Sequence, residues 1–437
     1  MPVLVSEHVN PVKAPGLSLR TNFSWTLAGN LLYAASQWGF LILLAKLLNS
    51  AAVGEFAFAL AVTAPIMIFA NQGLTGLQAT DAKREFSFFD YFVCRLVTTT
   101  IAFLVICLLS YFLHGSVVII VVGAAKAVEA LCDIRYGHYQ QIDRMDRMAK
   151  SMMLRGAFSL AAAAAGLYLY RSVAWAAFGL VSANVAVLVF HDYREQFFSV
   201  ASGLSVVKIL VRRQRERGTS LFSRTSVLFL HGFPLGLAAM LSSLTSSIPR
   251  YFIEHYSGTA MLGVFAALMY LLIGGRTLIA ALAQVCMAQL SRLYIGGDKR
   301  AFDRLLFRQL AAGLALGLLG ILVSAVAGKV LLALLYRPEY ADYSHVLILV
   351  MFAAALNYLA EFSNVGLLAV RALKVQPVIL ALCAASILIL SYLLVPRFGI
   401  TGGAWAIVIT GGVQLAVTIH CLARAPFPRT VIANSNA

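Results

Sequence analysis

Lys126, Glu129, Asp133, Tyr136 and Gln140 follow one another at spacings of three, four, three and four within an otherwise apolar stretch. That rhythm puts all five on one face of a helix. An ammonium group set in apolar surroundings can hold an anion, and a carboxylate beside it can exchange a proton as the site alternates between wet and dry. Other stretches carry similar stripes. Thr26, Asn30, Tyr33 and Gln37 form one; Asn357, Glu361 and Asn364 form another, with Arg371 one period beyond; Ser242, Ser246 and Arg250 lie four apart. Arg276 follows Gly274 and Gly275 in a further apolar run. A helix with a single polar stripe turns that face away from lipid, toward a wet cavity or a polar contact with another helix.

The elements that position these residues follow from composition. Of 437 residues, 61% are hydrophobic and only 12% charged, with a mean hydropathy of +0.85. A soluble chain of this size carries about 25% charged residues. The deficit excludes a soluble enzyme, a nucleic-acid-binding module and a disordered scaffold, and predicts an all-α, polytopic membrane protein. About twelve spans are expected, at 24–47, 53–72, 92–112, 115–135, 151–170, 173–192, 222–248, 258–283, 307–327, 344–368, 375–395 and 400–422. The net charge of +16 then reads as the positive-inside rule rather than as affinity for nucleic acid. With the N-terminus inside, only Arg171, Arg250, Lys329, Arg337 and Arg397 fall on the outer side, and Lys46, Arg95, Lys126 and Arg276 fall within spans. The remaining basic residues lie in the inner connections, including the one after the fourth span. Both termini are therefore expected in the cytoplasm. Residues 1–20 lack the apolar core of a cleaved signal peptide, so the first span is expected to direct insertion itself.

An internal duplication sets the larger organisation. VGEFAFAL at 53–60 aligns with LGVFAALM at 262–269, pairing Gly54 with Gly263, Phe56 with Phe265 and Ala57 with Ala266 at an offset of 209. VAWAAFGLVSANVAVLVFH at 173–191 resembles GAWAIVITGGVQLAVTIH at 403–420, pairing Trp175 with Trp405. Two six-span lobes in parallel orientation follow, 1–221 and 222–437, the first closing with a basic connection from about 193 that can lie on the membrane surface. Repeats of this kind place a binding site between the halves, near the bilayer midplane. Pro65 and the run Gly232-Phe-Pro234-Leu-Gly236 are candidate kinks. No GxxxxGK[ST], HExxH or GxSxG motif occurs, His138 and His231 read as lumen or interface residues, and the six cysteines include no CxxC pair. No catalytic group, cofactor or metal is expected.

Several stretches are similar to one family. NFSWTLAGN at 22–30, QWGFLILLAKLL at 37–48, VGEFAFALAVTAPI at 53–66, ATD at 79–81, DRMDRMAKSMMLRG at 143–156 and PRYFIEHY at 249–256 with LGVFAA at 262–267 resemble bacterial polysaccharide-export flippases. These belong to the superfamily of multidrug and oligosaccharidyl-lipid exporters. The resemblance implies a protein of the inner membrane that moves an undecaprenyl-diphosphate-linked oligosaccharide to the periplasmic leaflet by alternating access. The bilayer, this lipid-linked glycan and other polysaccharide biosynthesis proteins would be its partners. For such a cargo, Arg276 and Lys126 are the first candidates for phosphate contact and Arg250 the release-side candidate, with Asn30, Tyr33, Gln37 and Asn357 lining the same binding surface. Glu129, Asp133 and Glu361 are the candidates for ion or proton coupling. A cation-coupled drug exporter of the same fold and a non-transporting subunit of a polysaccharide synthase complex are the alternatives.

Overall fold

Ser18 opens the first helix by accepting the Thr21 amide on its Oγ, and Asn49 does the same for the second through Ala52. A capping box between Ser87 and Asp90 starts another. The computed structural model describes residues 17–81, 83–113, 116–193, 221–372 and 375–427, and among these it contains helices and turns but no strand. In chain order the helices are α1 (Leu19–Leu47), α2 (Ser50–Asn71), the short α3 (Leu74–Thr80), α4 (Phe88–Phe112), α5 (Val117–Gln141), α6 (Met145–Tyr170) and α7 (Val173–Val187), which ends in a π-helical turn, Leu188–Asp192. After the connection come α8 (Leu221–Ser257), α9 (Thr259–Ile295), α10 (Lys299–Leu335), α11 (Ser344–Ala369) and α12 (Gln376–Ala423). The basic segment 194–220 lies outside the described residues.

A helix stands at every expected span. α12 holds the last two, joined without a loop: only Gly399 leaves helical geometry, at φ 55° and ψ −131°. Nine helical stretches among the described residues are long and apolar enough to cross a membrane by length and composition alone. The charged α5 passes through the same bundle. α8, α9 and α10 each run to 37 residues, well past the spans expected for them. At 1.5 Å per residue each is about 55 Å long, against a hydrocarbon core of about 30 Å. Hydropathy reads only the buried middle of such a helix; its polar ends continue in helical form into the interface.

The bundle's outer surface is apolar. Leu104, Leu108, Val326, Val330 and Leu334 all project outward and are largely exposed, as expected where the surroundings are lipid. α1, α6 and α7 pack together beside α2, α4 and α5, and α10, α11 and α12 pack with α8 and α9. This is an all-helical membrane architecture of two lobes. α2 is the element that meets the second lobe along both α8 and α9. Trp175 and Trp405, paired by the repeat, are both about half exposed near the start of the closing span of their lobes. The two described ends of the chain lie on one face of the bundle, here the near face, since Leu17 bonds to the α5–α6 turn and Pro426 to α9 beside its turn into α10. The turns at Leu48, Arg171, Gly258 and Pro338 form the opposite, far face.

Candidate functional site

Three helices of the first lobe build a polar network inside the bundle. Lys126 Nζ on α5 donates to Glu129 Oε2 at 2.8 Å, and the Tyr33 hydroxyl on α1 donates to Glu129 Oε1 at 2.8 Å. Arg155 reaches in from α6, its Nη2 3.7 Å from Glu129 Oε1 and its Nη1 3.8 Å from Asp133 Oδ1. Its guanidinium lies over the rings of Tyr33 and Tyr136, at 4.9 and 5.5 Å from their centroids. Two cations and two carboxylates thus offset one another where an unpaired charge would be costly. The side chain of Arg155 is 2% exposed, whereas those of Lys126 and Asp133 are 31% and 33% exposed. The network has a dry floor and an open rim. Tyr33, Gln37, Lys126 and Glu129 line a recess with Phe56 and Asn184.

A second layer supports the floor. The Tyr136 hydroxyl pairs with Ser151 Oγ at 2.8 Å, Ser151 Oγ donates to Asp192 Oδ2 at 3.0 Å, and His191 Nδ1 sits 3.0 Å from Asp192 Oδ1. The π-helical turn after α7 brings Asp192 into this line. Arg95 on α4 is fixed separately where α2 breaks into α3, donating to Asn71 Oδ1 and to Thr75 Oγ1.

The structure brings together Lys126, Glu129, Asp133, Tyr136, Tyr33 and Gln37 of the residues singled out by sequence. It does not add the others to that network. Asn30 and Asn357 each donate to a carbonyl one turn back on their own helix, Thr26 O and Ala353 O, both at 2.9 Å. Glu361 is half-buried on α11, Arg250 half-buried on α8, and Arg276 exposed at the midpoint of α9. Among the described residues none of these three makes an ion pair. Arg250 Nε is buried without a hydrogen-bond partner. Sequence reasoning missed Arg155, which it had counted with the basic connection after the fourth span. α6 begins at Met145, so Arg155 lies nearly three turns inside it.

The lobes are joined unevenly. α8 follows α2: Gly232 and Gly236 sit against Gln72 and the Phe69 carbonyl, the Tyr251 hydroxyl donates to Ala61 O, and Arg224 approaches Asp90 on α4 at 3.3 Å. α1, the repeat-equivalent of α8, behaves differently. Its far end bonds to the second lobe through Trp38 and Lys46. Among the described residues no hydrogen bond or ion pair joins 19–37 to that lobe.

An all-helical, two-lobed bundle with nine candidate spans among the described residues and a charged network on one inner wall defines a multi-pass membrane protein with the fold of solved MATE transporters. The chain is similar over 93% of its length to the inward-facing conformation of a multidrug resistance MATE family transporter of the MOP superfamily, with a TM-score of 0.68, 13% identity and 96% of that chain covered. It is similar to a Pyrococcus furiosus MOP-superfamily transporter described as having a binding pocket of reverse polarity, with a TM-score of 0.61, 14% identity and coverage of 92% and 94%. In sequence, it is 25% identical over 403 residues to the capsular polysaccharide biosynthesis protein CapF of Staphylococcus aureus, covering 90% of this chain and 96% of that one. No family model matches the chain.

Proposed function

We propose that this protein is a flippase that moves a polyprenyl-diphosphate-linked oligosaccharide from the cytoplasmic to the periplasmic leaflet of a bacterial inner membrane by alternating access. The carrying observation is an imbalance of charge at membrane depth. Glu129 and Asp133 of the first lobe are engaged with Lys126 and Arg155, while Arg250 and Arg276 of the second lobe make no ion pair among the described residues and outnumber the unpaired Glu361 of α11. Cations left unpaired inside a membrane protein favour an anionic cargo. A guanidinium suits phosphate oxygens, which it can bind through two parallel hydrogen bonds. Full-length similarity to a capsular polysaccharide biosynthesis protein supports the glycan part of the cargo. The near half of α1, which among the described residues makes no hydrogen bond or ion pair to the second lobe, offers a lateral opening through which an isoprenoid tail can stay in lipid. In this reading the near face, with both described ends of the chain, is cytoplasmic.

Glu129 and Asp133 are the coupling groups of this reading, since their rim is open while their counter-ion Arg155 stays dry. Glu361 belongs to the opposite wall. The lobes divide between residues 221 and 222. A cation-coupled drug exporter would pair better with an acidic cavity than with free arginines. Deleting the protein in its own organism tests the proposal: surface glycan should disappear while lipid-linked repeat units accumulate on the cytoplasmic leaflet. Normal surface glycan with altered drug sensitivity would replace it with the exporter reading.

A further inference from the structure

At the far face, directional bonds between α1 and the second lobe converge on the end of α10. Trp38 Nε1 donates to the Tyr336 hydroxyl at 2.9 Å, and that hydroxyl donates to Ala267 O of α9 at 3.0 Å. A phenol has one proton, so the direction of this relay is fixed: tryptophan N–H to tyrosine oxygen, tyrosine O–H to carbonyl. Tyr336 is buried and stacks on Tyr340, with centroids 5.2 Å apart. In so dry a place a missing partner is costly. One residue further on, Arg337 Nη2 donates to Lys46 O, a carbonyl in the last turn of α1, at 3.1 Å. Arg171 of α1's own lobe holds the adjacent Leu47 carbonyl at 3.1 Å. The end of α1 therefore lies between an arginine of its own lobe and one of the other. Elsewhere on this face α2 and α9 meet backbone to backbone at Gly54 and Gly263, a contact with no side-chain bond to give it direction.

We infer that Trp38, Tyr336 and Arg337 form a latch that keeps the recess beside Gln37 shut toward the far face, released when the end of α1 parts from the second lobe. The inference rests on the alternating-access reading, because a latch has meaning only if the lobes move. Opening must break both bonds from the second lobe to α1 while leaving the Arg171 bond intact. A variant lacking one of them should open outward more often.

The test needs no cargo. A cysteine placed at Gln37, beside the recess, is exposed to a membrane-impermeant thiol reagent added outside whole cells, and its modification is followed on that peptide by mass spectrometry. Trp38→Phe and Tyr336→Phe should each label roughly three- to tenfold faster than the protein with the latch intact, the range set by the loss of one hydrogen bond. Arg337→Gln, which leaves the buried tyrosine untouched, should give a smaller rise in the same direction. It also carries the test if either aromatic variant fails to reach the membrane. Rates equal to the parent in every variant that reaches the membrane overturn the latch. If glycan export proves independent of the protein, the transport reading falls while faster labelling still stands.

Discussion

Gly54 and Gly263 face each other where α2 crosses α9, and the backbone carbonyl one turn before each fills the place that the other's side chain would need. A methyl group on Gly54 would overlap the Thr259 carbonyl, and one on Gly263 would overlap the Ser50 carbonyl. Ser50 and Thr259 are separated by the same 209 residues as the two glycines, so the contact is reciprocal about a pseudo-two-fold axis. The duplicated segments legible in the sequence thus meet where the two lobes pack backbone to backbone. Small residues at such crossings let membrane helices pack on their backbones.

Gly54→Ala and Gly263→Ala should each destabilise the far-face contact, because the obstacle is backbone and cannot rotate aside. Overpacking of this kind costs about 1–3 kcal/mol. The melting midpoint of the purified protein in detergent should fall in both. The double variant should fall by much less than the two losses combined, since the first substitution already separates the helices. Full additivity would show that the glycines do not share one interface.

The stripe on α5 was readable because helical period brings residues three and four apart onto one face whatever lies opposite. Arg155 was not. Its segment, DRMDRMAKSMMLRG, runs from a basic connection into the start of the span expected at 151–170, and only packing against Tyr33 and Tyr136 shows the guanidinium to be interior. Asn30 and Asn357 show the opposite limit: period gave their face, but each amide is satisfied by its own helix. The spans of α8 to α10 were underestimated because hydropathy falls at helix ends before helicity does.

Gly399 is where the last two spans turn into each other, and its φ of 55° with ψ of −131° suits no residue with a Cβ. Gly399→Ala should cost about 1–3 kcal/mol from backbone strain alone, as the one atom its new methyl group would crowd, Ser257 Oγ, stands 3.3 Å from that methyl and can yield. The check is the melting midpoint in detergent, compared with Gly412→Ala, where a methyl group meets nothing within 4 Å inside a helix and no fall is expected.

Arg276→Ala should reduce glycan export at least tenfold with protein still present in the membrane. The side chain is exposed and makes no ion pair among the described residues, so its removal strands no counter-charge among them. Arg276→Lys should recover only part of the activity, because an ammonium keeps the charge without the planar fork. Complementation of a deletion strain, scored by surface glycan and by immunoblot of membranes, reads both. Full export by the alanine variant would remove Arg276 from the cargo path.

Lys126 and Arg155 both face Glu129, yet their substitutions should have different consequences. Arg155 is nearly inaccessible and serves Glu129 and Asp133 together. Arg155→Met leaves two carboxylates at membrane depth against one ammonium, and removing one partner of a buried pair costs about 3–5 kcal/mol. The expected result is less protein in the membrane and a lower melting midpoint, with partial rescue by Glu129→Gln in the same chain, which removes one of the stranded charges. Lys126 stands on the open rim, where water can solvate what it leaves behind. Lys126→Met should therefore keep most of the protein in the membrane and lose export instead. If the two variants lose protein to the same degree, the division into a dry floor and a wet rim is wrong. Lys126 would then be a structural counter-ion rather than a group that meets the cargo.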